Sequence, residues 1–399
     1  MSSTPDEEST AAQRGGKLPG AVVRLGWVSL LADVSSEMAA PLIPLFLGTL
    51  LASPGTALGV IEGSVQALLA VMTAFAGWHS DRIRRRTPYV RWGYGIAMAA
   101  KPAMALASTW PVVLALRLAD RFGKGLRGAP RDALIADLTR GQRGAAFGFH
   151  RGMDTAGALI GALLAAALIA ALPGRYQLVF ALTAIPGLAT VALAFTVREP
   201  EERARAAPSP HSAGGFTLRG LSASYWRAAI VQWLFALGAV SEGFLILRAS
   251  GQGFADTSTV LAYALFNAVY AATAYPAGKL SDRLGRPRLL AIGWSIFVAT
   301  MLIGRVVSGS WTLVLFPLLG LHLGFTYGVG KAWIADLAPR ELRGTALGVY
   351  QLGSGAALLM GGVVVGRLWD RVSSDASFLW AAALGGAALL LLAIGGRRR

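Results

Sequence analysis

The chain is predicted to be an all-α integral membrane protein, with twelve transmembrane helices in two pseudo-symmetric six-helix bundles. Three observations predict this. Of 399 residues, 54% are hydrophobic and only 15% are charged, which is too apolar for a soluble globule of this length. The chain is also written twice. GWHSDRIRRR (Gly77 to Arg86) returns as GKLSDRLGR (Gly278 to Arg286), and DALIAD with RGAAFGF (Asp132 to Phe149) returns as KAWIAD with RGTALGV (Lys331 to Val349). SSEM (Ser35 to Met38) has an echo in VSEG (Val240 to Gly243). Each offset is near half the chain, the mark of a duplicated unit. Finally, apolar windows of about 20 residues, the length that spans a bilayer, recur throughout.

The elements follow in order. Residues 1–23 form a polar tail holding Asp6, Glu7 and Glu8, without the basic n-region of a cleaved signal peptide. The first half, 24–197, holds predicted spans at 24–47, 57–78, 90–108, 111–138, 143–172 and 175–196. A linker at 198–222 contains EPEERARAAPSPHSAGG, charged and rich in Pro, Ser and Gly. The second half, 223–396, holds spans at 225–248, 257–279, 288–307, 311–336, 343–366 and 376–395, and 397–399 is a basic tail. Gly157/Gly161 and Gly362/Gly366, each four apart, suit close helix approach. Basic residues crowd alternate connections: Arg82 to Arg86, Arg140 and Arg143, Arg198 to Arg205, Arg283 to Arg288, Arg340 and Arg343. The intervening loops, SPGT (Ser53 to Thr56) among them, are nearly bare. The positive-inside rule therefore places both termini in the cytoplasm and the chain in the plasma (inner) membrane.

Several function classes are excluded. There is no cysteine, and His79, His150, His211 and His322 are scattered outside any HExxH arrangement. No phosphate loop and no nucleophile–base pair occurs. An enzyme, a cofactor and a metal site are therefore not expected. The net charge of +16 lies mostly in loops between apolar spans rather than on one face, which argues against a nucleic-acid partner.

Two apolar halves with Gly77, Asp81, Arg82, Arg85 and Arg86 between the second and third spans resemble the major facilitator superfamily. A second copy at Gly278, Asp282, Arg283 and Arg286 and the basic central loop strengthen the resemblance. DRFGKGLRGAPRDALIAD, closing the fourth span, resembles a broad prokaryotic group within it. The resemblance implies alternating-access transport, with the motif forming a cytoplasmic gate whose acids and arginines pair with helix ends and tie the halves together. Arg131, Asp137 and Asp336 join that expected gate, and Lys331 resembles one of its partners. Independently of the name, Gly77 and Gly278 permit close packing, and Asp81 and Asp282 sit among forked arginine donors.

Charges inside spans need partners or a wet cavity. Asp33 and Glu37 share a face of the first span, Arg117, Asp120, Arg121 and Lys124 a face of the fourth, and His150, Arg151 and Asp154 one side of the fifth. At about 1.5 Å per residue, Asp33 lies roughly 14 Å deep, Glu37 roughly 20 Å, Arg121 about 15 Å and Asp154 about 16 Å. These groups are expected to converge near the midplane, where substrate or a coupling ion binds. Asp33, Glu37 and Asp154 are the expected proton carriers; Arg117 and Arg121, with Arg151 beside them, are the expected counter-ions or anion ligands. Glu242, at the repeat position of Glu37, is expected to line the site. A static ion-pair network is the competing structural reading. The expected function is secondary active transport of a small anionic solute, coupled to protons and directed outward, with one chain in the lipid bilayer enclosing the pathway. An uncoupled facilitator and a multidrug efflux carrier for cations are the alternatives.

Overall fold

The computed structural model describes residues 18–83, 85–139, 142–198, 220–339 and 342–396. Most of the expected N-terminal tail and of the linker, and the basic C-terminal tail, lie outside them; the first helix begins at Gly20, inside the expected tail. Among the described residues the fold is all-helical, with helices α1 (Gly20–Ala39), α2 (Leu42–Leu50), α3 (Gly55–Ile83), α4 (Thr87–Ala103), α5 (Trp110–Leu138), α6 (Arg143–Ala171), α7 (Tyr176–Leu182) and α8 (Ala184–Phe195). The chain continues with α9 (Ala223–Leu237), α10 (Glu242–Gly251), α11 (Asp256–Leu284), α12 (Arg286–Val306), α13 (Leu315–Leu337), α14 (Arg343–Arg371) and α15 (Ser374–Gly396).

Among the described residues, ten helical stretches are long and apolar enough to cross a membrane. The two remaining predicted spans fall short for physical reasons: α4 has 17 residues, and α5 carries a stripe of charge from Arg117 to Asp137. The first span is interrupted at Ala40–Pro41, where proline lacks an amide donor, so α1 and α2 are separate. The corresponding span of the second repeat is interrupted between Leu237 and Glu242. Apolar side chains on the outside, such as Ile185, Leu188 and Leu390, are about two-thirds exposed, as helices bathed in lipid require.

Glycine decides the closest contacts. Carbons added at Gly157 and Gly161 would lie 2.4 and 2.6 Å from the carbonyl oxygens of Leu30 and Val34, so α6 rests on the backbone of α1. α3 lies against α14 in the same way. A Cβ on Gly59 would lie 2.0 Å from the carbonyl oxygen of Gly362, and one on Gly366 would lie 2.4 Å from that of Gly55. The Asp370 carboxylate seals the end of this seam, accepting the amide hydrogens of Gly55 (2.9 Å) and Thr56 (2.7 Å) as an N-terminal cap of α3. Tyr176 donates to Asp256 on the same, bare-loop side. In α5, Gly123 abuts the carbonyl of Gly93 on α4 and Gly125 abuts Met72 on α3, so these two glycines serve packing. The helix continues through Pro130. One expectation is corrected: Gly77 does lie close to Ala129, but nothing stands within 4 Å of a carbon added at Gly278. The sequence repeat is not matched by a packing repeat there.

Candidate functional site

The interruptions in the two repeat-related spans position the site. Glu37 occupies the last turn of α1 before its break, and Glu242 is the first residue of α10 after the other break. With Glu62 of α3, Arg117 and Arg121 of α5 and Tyr263 of α11, they line a cavity of about 60 Å³. That volume holds a few water molecules.

The cavity wall is electrostatically graded. Arg117 lies 3.0 Å from Glu62 and 3.6 Å from Asp120. Asp120 is claimed by the Lys101 ammonium of α4 at 2.8 Å, while Arg121 approaches it only to 3.9 Å. Lys101 also donates to the Ala97 carbonyl. Lys101 and Asp120 are 2% and 3% exposed, so the pair is fully desolvated. Glu37 accepts hydrogen bonds from the Tyr263 hydroxyl (2.6 Å) and the Asn267 amide (3.3 Å), joining α1 to α11. Among the described residues neither Glu37 nor Glu242 has a basic side chain at ion-pair distance.

Sequence reasoning expected one cluster, and the structure has two tiers. Arg121 belongs with Glu37 around the cavity. Asp33 and Asp154 form a second tier nearer the basic-loop ends. Asp33 lies within electrostatic reach of Lys124, Asp154, Arg127 and Arg131. Asp154 accepts from Ser29 and lies 3.6 Å from His150. Arg131, grouped with the gate on sequence, sits in this tier, reaching Ser29 at 3.3 Å and Asp132 at 2.9 Å. The Arg127 guanidinium stacks 3.9 Å over the ring of Tyr94. Arg151 turns toward α11 and donates to the Tyr270 hydroxyl at 3.3 Å.

The repeated loop motif is also repeated in space. Arg86 pairs with Asp81 at 3.0 Å and with Asp137. Arg286 pairs with Asp282 at 2.7 Å and Asp336 at 3.2 Å. In both copies an arginine joins the motif acid to an acid near the basic-loop end of a later helix, and these pairings each lie within one half of the sequence. Arg82, Arg85 and Arg283 are exposed. Arg82 also lies 5.7 Å over the Trp78 ring.

Sequence reasoning missed two residues of the site, Glu62 and Lys101. Both are charges inside predicted spans, the same signal that identified Arg117 and Asp154. Their partners lie on other helices, so spacing along one helix did not reveal them.

Comparisons agree with this geometry. A sequence model of the Major Facilitator Superfamily matches residues 25–260 and 245–399. An uncharacterised MFS-type transporter of Methanocaldococcus jannaschii is 30% identical over 374 residues, covering 91% of this chain and 92% of its own. An uncharacterised protein of Mycobacterium bovis is 31% identical over 366 residues, covering 88% of this chain and 86% of its own. Among solved structures, the nucleoside transporter NupG superposes with a TM-score of 0.74 at 14% identity, covering 94% of this chain and 98% of its own. A D-xylose–proton symporter superposes at 0.71 and 17% identity, covering 93% and 95%. At such identities these superpositions speak for the fold alone. The chain is a multi-pass membrane protein and belongs to the major facilitator superfamily of transporters.

Proposed function

We propose that the chain is a proton-coupled secondary transporter of a small organic anion, working by alternating access between two six-helix halves joined by the central linker. In this reading α4 and α5 complete a set of twelve spans. Both termini and the arginine-rich loops face the cytoplasm of a cell bounded by this membrane, and one chain forms the whole pathway. The α3–α14 seam seals the opposite side, so the cavity in this conformation serves exchange with the cytoplasm, and loading there suits an exporter.

The observation that carries the reading is the division of labour around the cavity. Arg117 is neutralised by Glu62 and Asp120, and Asp120 by Lys101. Arg121 is the lining cation with the loosest internal pairing: its nearest carboxylate is Asp120 at 3.9 Å, and among the described residues its Nε, like that of Arg117, has no hydrogen-bond partner. A carboxylate or phosphate entering the cavity offers that guanidinium the forked contact it lacks. Glu37 and Glu242, without a cationic partner, are the proton carriers, and Asp33 with Asp154 forms a relay toward the cytoplasm. Glu37 is also tied across to Tyr263, so a change at its carboxylate is felt by the second half directly.

Reconstitution into proteoliposomes tests this. Purified protein is screened with organic anions and organic cations, with and without an imposed pH gradient. Anion flux should follow the gradient. Arg121→Gln should lose the anion. Glu37→Gln and Glu242→Gln should each abolish gradient-driven uptake while retaining exchange of labelled for unlabelled cargo. Wild-type gradient dependence in both glutamine variants sinks the coupling, and selective transport of cations sinks the cargo class.

A further inference from the structure

Two cations on the basic-loop side of the cavity, Arg151 and Lys331, have no acidic partner at ion-pair distance among the described residues, and a third, Lys124, has Asp33 and Glu37 within electrostatic reach but in no ion pair. Arg151 of α6 donates only to the Tyr270 hydroxyl, at 3.3 Å. Lys331 of α13 donates to the Tyr327 hydroxyl at 3.2 Å, and its ammonium lies 4.4 Å over that ring. Lys124 of α5, with Arg151, lies within electrostatic reach of the same Tyr327. The rise per residue places Lys331, Arg151 and Lys124 about 9, 12 and 21 Å from the basic-loop ends of their helices. The site is thus displaced from the cavity at Arg121 and drawn from both sequence halves. Topology does not require such a set. Arginines in loops satisfy the positive-inside rule, but cations at this depth need a partner or a wet cavity, and Arg151 is exposed and so open to an anion.

We propose that Lys124, Arg151 and Lys331, with the hydroxyls of Tyr270 and Tyr327, form a second anion subsite for an oxyanion carrying two or more charges. Phenolic hydroxyls add neutral donors to the stronger charge-assisted ones of the ammonium and guanidinium groups, and the five groups come from four helices. The site has a mechanical consequence. Lys124 and Arg151 belong to one half and Lys331 to the other. Bringing the halves together on this side presses like charges toward one another, and a bridging polyanion replaces that repulsion with attraction. The subsite therefore admits closure when loaded and resists it when empty. It does not depend on what the Arg121 cavity carries.

The test is isothermal titration of inorganic phosphate into the protein held in nanodiscs of zwitterionic lipid, with acetate as the singly charged control. Phosphate should bind in preference to acetate. Arg151→Gln and Lys331→Gln should each weaken it by about tenfold, the scale of one charge-assisted hydrogen bond. Lys331→Arg should retain it, and so should Arg121→Gln, which separates this site from the central one. Melting curves matched to wild type certify each variant as folded. Failure of phosphate to bind, equal binding in both glutamine variants, or its loss in Arg121→Gln overturns the subsite. Displacement of phosphate by added phosphatidylglycerol assigns the cations to a lipid headgroup and overturns the solute role.

Discussion

Replacing Gly59 with valine is expected to open the carrier toward the bare-loop side and to stop its cycle. A Cβ at this position would stand 2.0 Å from the carbonyl oxygen of Gly362. The obstacle is backbone, which cannot swing aside as a side-chain tip can. Overpacking of this kind costs about 1–3 kcal/mol, and a penalty of that size moves a two-state equilibrium about 5- to 150-fold. The absence of cysteine makes the outcome directly readable. A single cysteine placed at Ala40, on the cavity wall, should be protected from a membrane-impermeant maleimide applied on the bare-loop side of otherwise wild-type protein. In the valine variant it should react. Equal labelling in the two proteins would mean that the seam is not what closes this side. Asp370→Asn should act in the same direction more weakly, since the amide still accepts one of the two backbone hydrogens but carries no charge to favour the helix end.

The largest stability effect is expected at Asp120. Its carboxylate meets Lys101 at 2.8 Å, with Arg117 and Arg121 behind, and both members of the close pair are buried. Asp120→Asn leaves an ammonium and two guanidinium groups without their shared counter-charge. Stranding one partner of a buried pair costs about 3–5 kcal/mol. A thermal melt in detergent or nanodiscs should show a sharp loss, with low yield of folded protein. Lys101→Met should be damaging alone, because it strands Asp120 in the same way. The double variant, Lys101→Met with Asp120→Asn, should recover part of the loss, since neither stranded member of the pair remains. An additive cycle would show that the two residues do not depend on each other.

The spans were legible because lipid demands long apolar runs, and the first and seventh stretches ended within a few residues of the predicted bounds. What the runs concealed were their interruptions at Ala40–Pro41 and after Leu237, which place Glu37 and Glu242 at helix ends. Hydropathy averages over such short breaks. Depth was legible too, since each residue advances a helix by a fixed rise. Direction around the helix axis was not. Asp33 and Arg121 fall at similar calculated depths, yet Arg121 lines the cavity with Glu37 and Glu242, and Asp33 is not among its lining residues. Glu62 and Lys101 show the same gap from the other side. Each is visible as a charge in an apolar window, but only the packing of α3 and α4 on α5 reveals which partner it serves. The paired motif at Asp81 and Asp282 was read from its letters alone, and its geometry recurs faithfully, whereas the glycines beside it, Gly77 and Gly278, have unlike surroundings.

The run of backbone-on-backbone contact from Gly55 to Gly63 along α3 has a consequence for insulation. Where two main chains touch, there is no rotamer to flicker and no gap to admit a wandering water molecule or hydrated ion. Such a closure either holds along its length or parts as a whole. A carrier sealed in this manner wastes little of the membrane's ion gradients while idle, because a half-open leak has no conformation in which to exist.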